Sequence, residues 1–230
     1  AHCAFEDYRG CDYPAEGTDA HALCEFRLKQ ALGIPAEDPI ENLSWYDTEM
    51  EECAQGYAAY VVELLETAKQ TCSDPVVMIE QQVDFSRWVQ DGFGTADCIV
   101  ITDGIINIVD YKHGKGVEVS AVSNPQMRLY ALGALEIFDG IYDIDWVCMT
   151  IFQPRKGNVS TDVIDKEALL EWADSDLSEK AKLAYEGLGD FHCGEWCRFC
   201  KAKAECRERA AANLELARYE FEAPALLEDD

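Results

Sequence analysis

Residues Ile105–Gly116 read "IINIVDYKHGKG", an apolar run that ends in an acid, an aromatic and a lysine where a turn would be ordinary. Charged side chains are almost never fully buried without a partner, so Asp110 and Lys112 at the end of a buried strand need something to bind. Period-two alternation puts the two on the same face of that strand. The alternative is a strand that has simply reached the surface, and the rest of the chain decides between them.

Upstream, "VVMIEQQVDFS" after Pro75, then "GFGTADCIVIT", then "GIINIVDYKHG" read as three successive strands with Asp103-Gly104 as a hairpin turn. Asp97 enters the second strand and Asp110 ends the third, so antiparallel pairing brings both carboxylates to one side. Residues 17–32, "GTDAHALCEFRLKQAL", place Ala20, Leu23, Cys24, Leu28 and Ala31 at helical spacing, with His21 and Glu25 one turn apart on a neighbouring face. A second helix is expected from about Asp47 to Thr71. Pro125 opens a third helix, "PQMRLYALGALEIF", "DWVCMTIFQP" returns as a strand, and the remainder reads as helical. The order describes an α/β (α+β) core, a central mixed sheet flanked by helices over residues 1–185, followed by a cysteine-bearing helical segment at 186–230 that is expected to pack on the core.

Two carboxylates with an intervening backbone carbonyl make a hard oxygen site for Mg²⁺ or Mn²⁺, and a nearby ammonium can orient water or steady a phosphate. His21 could add a nitrogen ligand from the first helix. A second chemistry lies in "HCGEWCRFCKAKAEC", residues 192–206, where Cys197, Cys200 and Cys206 stand in a C-x2-C-x5-C pattern before a basic helix expected to begin near Lys201. Such spacing suits three thiolate ligands of a metal or iron–sulfur site, and on spacing alone structural Zn²⁺ is the simpler occupant. The fourth ligand must come from elsewhere, with Cys3 and Cys11 the nearest candidates to the N-terminus, and Cys193 reads as a bystander. Cys24, Cys53, Cys72, Cys98 and Cys148 read as small buried hydrophobes of a reducing cytoplasm, since the sequence opens on no secretory signal.

The chain has 230 residues and a formal charge of −26, which repels a polyanion. Local distribution counters this: Arg198, Lys201, Lys203, Arg207 and Arg209 outnumber the acids between His192 and Asn213, while Arg128, Arg155 and Lys156 offer a second basic group. Gly114 and Gly116 permit close approach of a DNA strand to the backbone. Nothing approaches the roughly 18 consecutive apolar residues of a membrane span.

Taken jointly, Asp97, Asp110-Tyr111-Lys112, Gln126 with Tyr130 on the following helix, and His21 upstream resemble the RecB-type nuclease domain of the PD-(D/E)XK superfamily. The terminal cysteines resemble its iron–sulfur branch, represented by AddB and the CRISPR-adaptation nucleases. Phrases such as "AEGTDAHALCE", "NPQMRLYALGAL" and "GEWCRFCKAKAEC" resemble a phage and prophage group within that branch. The resemblance spans nearly the whole chain.

It implies His21, Asp97 and Asp110 as ligands of Mg²⁺ or Mn²⁺, the Tyr111 carbonyl as a further ligand, and Lys112 as the catalytic lysine. Gln126 and Tyr130 would contact DNA or the catalytic groups, and Glu80 would support the site from the preceding strand. Cys197, Cys200 and Cys206 would hold a 4Fe–4S cluster with one N-terminal cysteine. In the family that cysteine lies well upstream of the G-T-x-A-H segment, whereas Cys3 is fourteen residues before Gly17 and Cys11 six, so either Cys3 serves or the fourth ligand precedes Ala1. The implied activity is a metal-dependent deoxyribonuclease, an exonuclease on DNA ends or single strands in phage recombination, replication or repair, aided by a partner protein that supplies affinity. A DNA-processing accessory protein that keeps the fold and cluster without useful turnover is the alternative.

Overall fold

The computed structural model describes residues 13–198 and 200–221; Cys3 and Cys11 lie outside them. The described chain divides into two compact units between Lys182 and Leu183.

The larger unit begins with two helices, α1 (Tyr13–Ala31) and α2 (Thr48–Ala68). Asp47 caps α2 by accepting from the Met50 N–H at 2.7 Å, which fixes where the helix starts. Three antiparallel strands follow: β1 (Val76–Asp84), β2 (Phe93–Thr102) and β3 (Gly104–Tyr111). Gly104, at φ 86°, makes the β2–β3 turn in the left-handed region where a side chain would be strained. Helix α3 (Pro125–Phe138) then crosses over to β4 (Ile144–Gln153), which pairs parallel to β3. Asn124 caps α3 by accepting from the Gln126 and Met127 N–H groups, with Pro125 at the first turn where its missing N–H costs nothing.

The sheet is mixed and five-stranded, in the order β1-β2-β3-β4-β5, because Asn158–Asp165 forms β5 antiparallel to β4. This corrects the expectation of an all-helical remainder. In "NVSTDVID" Val159 and Val163 face solvent, while Ser160 and Asp162 turn inward and accept from the Ala121 and Ser123 N–H groups of the loop before α3. An edge strand with its apolar residues outward lacks the apolar-in alternation that marks a strand in sequence. Helix α4 (Lys166–Trp172) follows β5, and α5 (Ser178–Glu186) comes after one π-helical turn.

Alternation along the strands feeds two cores. Ile99, Ile101, Ile106, Ile108, Val147 and Met149 pack with Met127, Ala131, Leu132 and Leu135 of α3, while Cys98, Val100, Val109 and Tyr111 pack with α1 and α2. Each fully buried aliphatic side chain contributes roughly 1.5–3 kcal/mol, so both faces are sealed by burial rather than by helix propensity. Gly133 lets α3 press onto β1, since a Cβ there would stand 2.8 Å from Cβ of Val83.

The alternation slips at one place. Met78 and Val83 are five apart yet pack in the same core, as do Ala96 and Ile99, three apart. Between them Glu80 holds φ 51°, in the left-handed region, and faces Asp97 across a register that continues on either side, Ile79 with Cys98 and Gln81 with Ala96. Left-handed backbone at a non-glycine residue costs about 1–3 kcal/mol, so the fold holds this slip against strain.

In the second unit, a 3-10 turn (Glu195–Arg198) and a run of three-residue turn bonds, Cys197 N–H to Gly194 O, Cys200 to Cys197 and Lys203 to Cys200, lead into α6 (Arg207–Phe221). The basic helix therefore starts at Arg207, not near Lys201, because residues 200–205 are spent on turns. No helix among the described residues is long and apolar enough to cross a membrane.

Candidate metal centre

His21 on α1, Glu80 on β1 and Asp97 on β2 each place a ligand atom within 4.8 Å of the others, the one such group among the described residues. Asp97 anchors it. Its Oδ1 lies 3.2 Å from His21 Nδ1, and its Oδ2 accepts the Tyr111 N–H at 2.7 Å, so β3 fixes the carboxylate that β2 supplies. Burial drives the Glu80 carboxyl up to about 7, with the Asp97 charge adding to it and His21 opposing. Burial alone would lower His21, but Asp97, Asp110 and Glu80 together hold it above its ordinary value. A group that carries this much mutual repulsion is relieved by a cation, and two carboxylates with an imidazole suit Mg²⁺ or Mn²⁺.

Glu80, expected only to support the site, thus stands among the ligand atoms, and the slip in alternation is the physical reason: it turns Glu80 and Asp97 together toward α1. Asp110, expected as a ligand beside Asp97, is not in that group of three. It is buried one step away, where burial and the Asp97 charge raise it to about 6 and Lys112 opposes them. Lys112 Nζ stands 2.8 Å from Asp110 Oδ2, an ion pair that opposes the effect of burial on that carboxyl. A cation shared with the three ligand groups would relieve the repulsion that Asp110 feels from Asp97.

The remaining expected residues converge on Lys112. Its Nζ donates to Gln126 Oε1 at 3.1 Å, while Gln126 Nε2 donates to Tyr130 Oη at 2.9 Å and reaches Asp110 Oδ1 at 3.4 Å. Gln126 and Tyr130 lie one turn apart on α3, so one helix face orients both lysine and aspartate. Tyr111 is fully buried, its ring edge-on to His21 at 5.6 Å and to Tyr57 at 5.5 Å.

Beyond Tyr111 runs a chain of contacts that sequence reading missed. Tyr111 Oη and His113 Nδ1 are 2.7 Å apart, His113 Nε2 is 3.4 Å from Glu16 Oε1, and Arg155 Nη1 donates to that same oxygen at 2.6 Å. Arg155 Nη2 and Lys115 Nζ both reach Glu49 Oε2, at 3.1 and 2.7 Å. Burial and the Arg155 charge hold His113 below its ordinary value against Glu16 and Glu49. A cleft of about 340 Å³ joins this chain to His21 and Lys112. The alternating acids and bases come from four separate segments, so no local spacing could reveal them. Gly114 and Gly116 have open space where a Cβ would be and no left-handed backbone, so the fold itself does not require glycine there.

Two of the three residues expected as a second basic group, Arg128 and Arg155, have partners in the structure. Arg128 stacks over Trp172 at 5.0 Å and Arg155 is spent on two glutamates, since both sit beside partners the sequence separation hid. In the second unit Cys197 and Cys206 are partly exposed and Cys200 exposed; among the described residues these three do not form a group at ligand distance. Cys193, expected as a bystander, is exposed, and partial desolvation, with Cys197 and Cys206 as neighbouring causes, raises its thiol. Cys24, Cys53, Cys72 and Cys98 are buried as expected, whereas Cys148 is only half-buried because it lies on the solvent side of β4 beyond α2.

Among solved structures, the one titled "Crystal structure of SSO0001" is similar at 13% identity, covering 88% of this chain and 99% of that one, with a TM-score of 0.33. The family model described as "Protein of unknown function (DUF2800)" matches residues 3–230, nearly the full length, and the chain belongs to the DUF2800 family.

Proposed function

We propose that this protein is a metal-dependent deoxyribonuclease with a PD-(D/E)XK core, acting on DNA ends or single strands in the cytoplasm during phage recombination, replication or repair, with a partner protein adding affinity for DNA. The observation that carries this reading is the convergence of His21, Glu80 and Asp97 on one point, with Asp110 and Lys112 a step away at the end of β3. A Mg²⁺ or Mn²⁺ ion held by those three residues, with Asp110 and the Tyr111 carbonyl beside it, would supply Lewis-acid polarisation of a phosphoryl oxygen and a more acidic bound water.

The chain's own groups do the rest. Gln126 and Asp110 flank the Lys112 ammonium, and of its three N–H bonds at least one remains for a phosphate oxygen or a water molecule. Tyr130 holds the Gln126 amide in the orientation that presents Oε1 to the lysine. Attack of a water oxygen on phosphorus forms one P–O bond and breaks another, and the departing alkoxide needs a proton that the solvent-connected cleft can deliver.

For residues 186–230 we infer a thiolate-held cofactor, a 4Fe–4S cluster with structural Zn²⁺ as the alternative, on Cys197, Cys200, Cys206 and an N-terminal cysteine such as Cys3. Its role is to order that segment, and no chemical step at the sheet depends on it. The charge of −26 is what favours the second reading, an accessory DNA-processing protein without useful turnover. Incubation of the purified protein with end-labelled single- and double-stranded DNA tests the first: cleavage is expected with Mn²⁺ or Mg²⁺ and none with chelator. A protein that binds DNA yet cleaves neither substrate in either metal would leave only the accessory role.

A further inference from the structure

We propose that Lys115 and Arg155 form a subsite for a DNA backbone phosphate beside the metal group, and that the Glu49 carboxylate fills it until that phosphate displaces it; this rests on the nuclease reading above. One oxygen, Glu49 Oε2, takes both Lys115 Nζ at 2.7 Å and Arg155 Nη2 at 3.1 Å. Two cations converging on a single anionic oxygen present the geometry that a phosphate oxygen satisfies, with one guanidinium nitrogen, Nη2, on one side and an ammonium on the other.

The two anchors of the subsite differ from its occupant. Arg155 is nine-tenths buried and held independently of Glu49, its Nη1 donating to Glu16 Oε1 at 2.6 Å and to the His113 carbonyl at 3.3 Å. Departure of Glu49 therefore leaves the guanidinium in place with Nη2 presented. Glu49 sits in the first turn of α2 with its side chain 45% exposed, so water can take it up when it swings away. The Lys115–Glu49 pair, exposed on both sides, contributes little, which leaves chiefly the Arg155 contact to be exchanged for a phosphate.

The cleft of about 340 Å³ runs from His21 and Lys112 to Lys115 and Arg155, so a strand bound at the metal group passes this pair. Gly114 lines the cleft between Lys112 and Lys115 and has open space where a Cβ would stand, so no side chain blocks the path between them. In a chain of charge −26 the cations facing the cleft are few, and Glu49 with Glu16 balances Lys115 and Arg155, so departure of Glu49 leaves one net positive charge for a phosphate.

The test is fluorescence anisotropy of a fluorescein-labelled single-stranded oligodeoxynucleotide in EDTA, where no cleavage intervenes. Glu49→Gln keeps the side chain's size and removes its charge; Kd should fall about three- to fivefold. Lys115→Ala should raise Kd by a similar factor, reduce the slope of log K against log salt by about 0.7, and shrink the effect of Glu49→Gln in the double variant. Asp139→Asn makes the same change in net charge at a distant pair with Lys166, and should leave Kd nearly unchanged. Equal effects of Glu49→Gln and Asp139→Asn, or no effect of Glu49→Gln in a protein that still cleaves DNA, would overturn the subsite alone. Tighter binding of inorganic phosphate without tighter binding of the oligonucleotide would overturn the backbone assignment. Absence of DNA binding by the parent and both single variants in EDTA would overturn the subsite, and absence of cleavage with Mn²⁺ and Mg²⁺ as well would overturn the nuclease reading with it.

Discussion

Asp97 and Asp110 are buried side chains on adjacent strands, held in place by register, Asp97 by the Tyr111 N–H and Asp110 by an α3 face that reaches it through Gln126. Cys193, Cys197, Cys200 and Cys206 ride instead on successive turns of a segment whose thiols are exposed or half-exposed, linked by local backbone bonds of 3.0–3.3 Å. In the first region the fold assembles charges that repel one another, so the group is formed without an ion and costs the fold something to keep. In the second, ligand and order are expected to arrive together, because thiolates bound to a metal supply folding energy that the local turns lack. The same chain thus carries one site that the fold builds and one that is expected to build its own fold.

The sharpest way to break that comparison is Asp110→Asn. Burial and the Asp97 charge make the ionised form of Asp110 unfavourable, so an uncharged amide of the same shape should leave the unfolding midpoint unchanged or raise it. Cleavage should fall by about a thousandfold, the size of effect seen when one preorganised electrostatic group is removed. Calorimetry with a labelled-DNA assay reads both quantities; a large drop in midpoint would mean the strand end is structural.

Cys200→Ala should do the reverse. Bound iron or zinc should fall, and trypsin should cut first in the segment between about Gly187 and Arg209, while the unit ending at Lys182 survives as a resistant fragment. Anaerobically purified parent protein should be brown and bleach in air if a 4Fe–4S cluster is present, and colourless with about one metal per chain if zinc is. Full metal content and full protease resistance in the variant would make these cysteines ordinary thiols.

The sheet was legible in sequence where burial and pattern agree. The β2–β3 hairpin, the Asp103-Gly104 turn, the capped start of α3 and the pairing of Lys112 with Asp110 all follow from alternation and turn chemistry. Glu80 was visible only as an acid in an otherwise uncharged strand interior, since the slip that turns it toward His21 is a left-handed backbone at a non-glycine residue, which no sequence pattern announces. The Glu16–Arg155–Glu49–Lys115 chain was hidden because each link spans at least 66 residues. β5 was hidden for the opposite reason: its local pattern points the wrong way, and only its pairing with β4 makes it a strand.

A smaller effect separates the preorganised site from an ordinary acidic patch. Glu80 and Asp110 have folded values near 7 and 6, above the roughly 4 of free carboxyls, so the stability they contribute is full below pH 4 and is lost as pH rises through 6 and 7. His21, also raised, acts in the same direction. A divalent ion needs all three deprotonated and removes the repulsion that then appears. Mn²⁺ should therefore raise the unfolding midpoint by a few degrees more at pH 8 than at pH 5.5, a difference on the order of 1 kcal/mol for a domain of this size. Equal shifts at the two pH values would place the ion elsewhere.

The smallest change tests whether the preorganisation reaches as far as α3. Gly94, on β2 opposite Val83, lies beneath Tyr130, and a Cβ there would stand 2.6 Å from Tyr130 Cε1. A side chain in a strand interior ordinarily gains roughly 0.5–1 kcal/mol over glycine, so Gly94→Ala sets that gain against a ring that must swing aside. The swing carries Tyr130 Oη away from Gln126 Nε2, and the amide is then free to turn its oxygen from Lys112. With the two stability terms opposed, the unfolding midpoint should move by only a degree or two, while cleavage falls about tenfold, as when an orienting hydrogen bond behind a ligand is lost. Tyr130→Phe, which removes the hydroxyl and leaves the ring, should reproduce most of the loss in cleavage without the steric component. If Gly94→Ala lowers the midpoint and leaves cleavage intact, Lys112 is placed by Asp110 alone, and the preorganised site ends at the sheet.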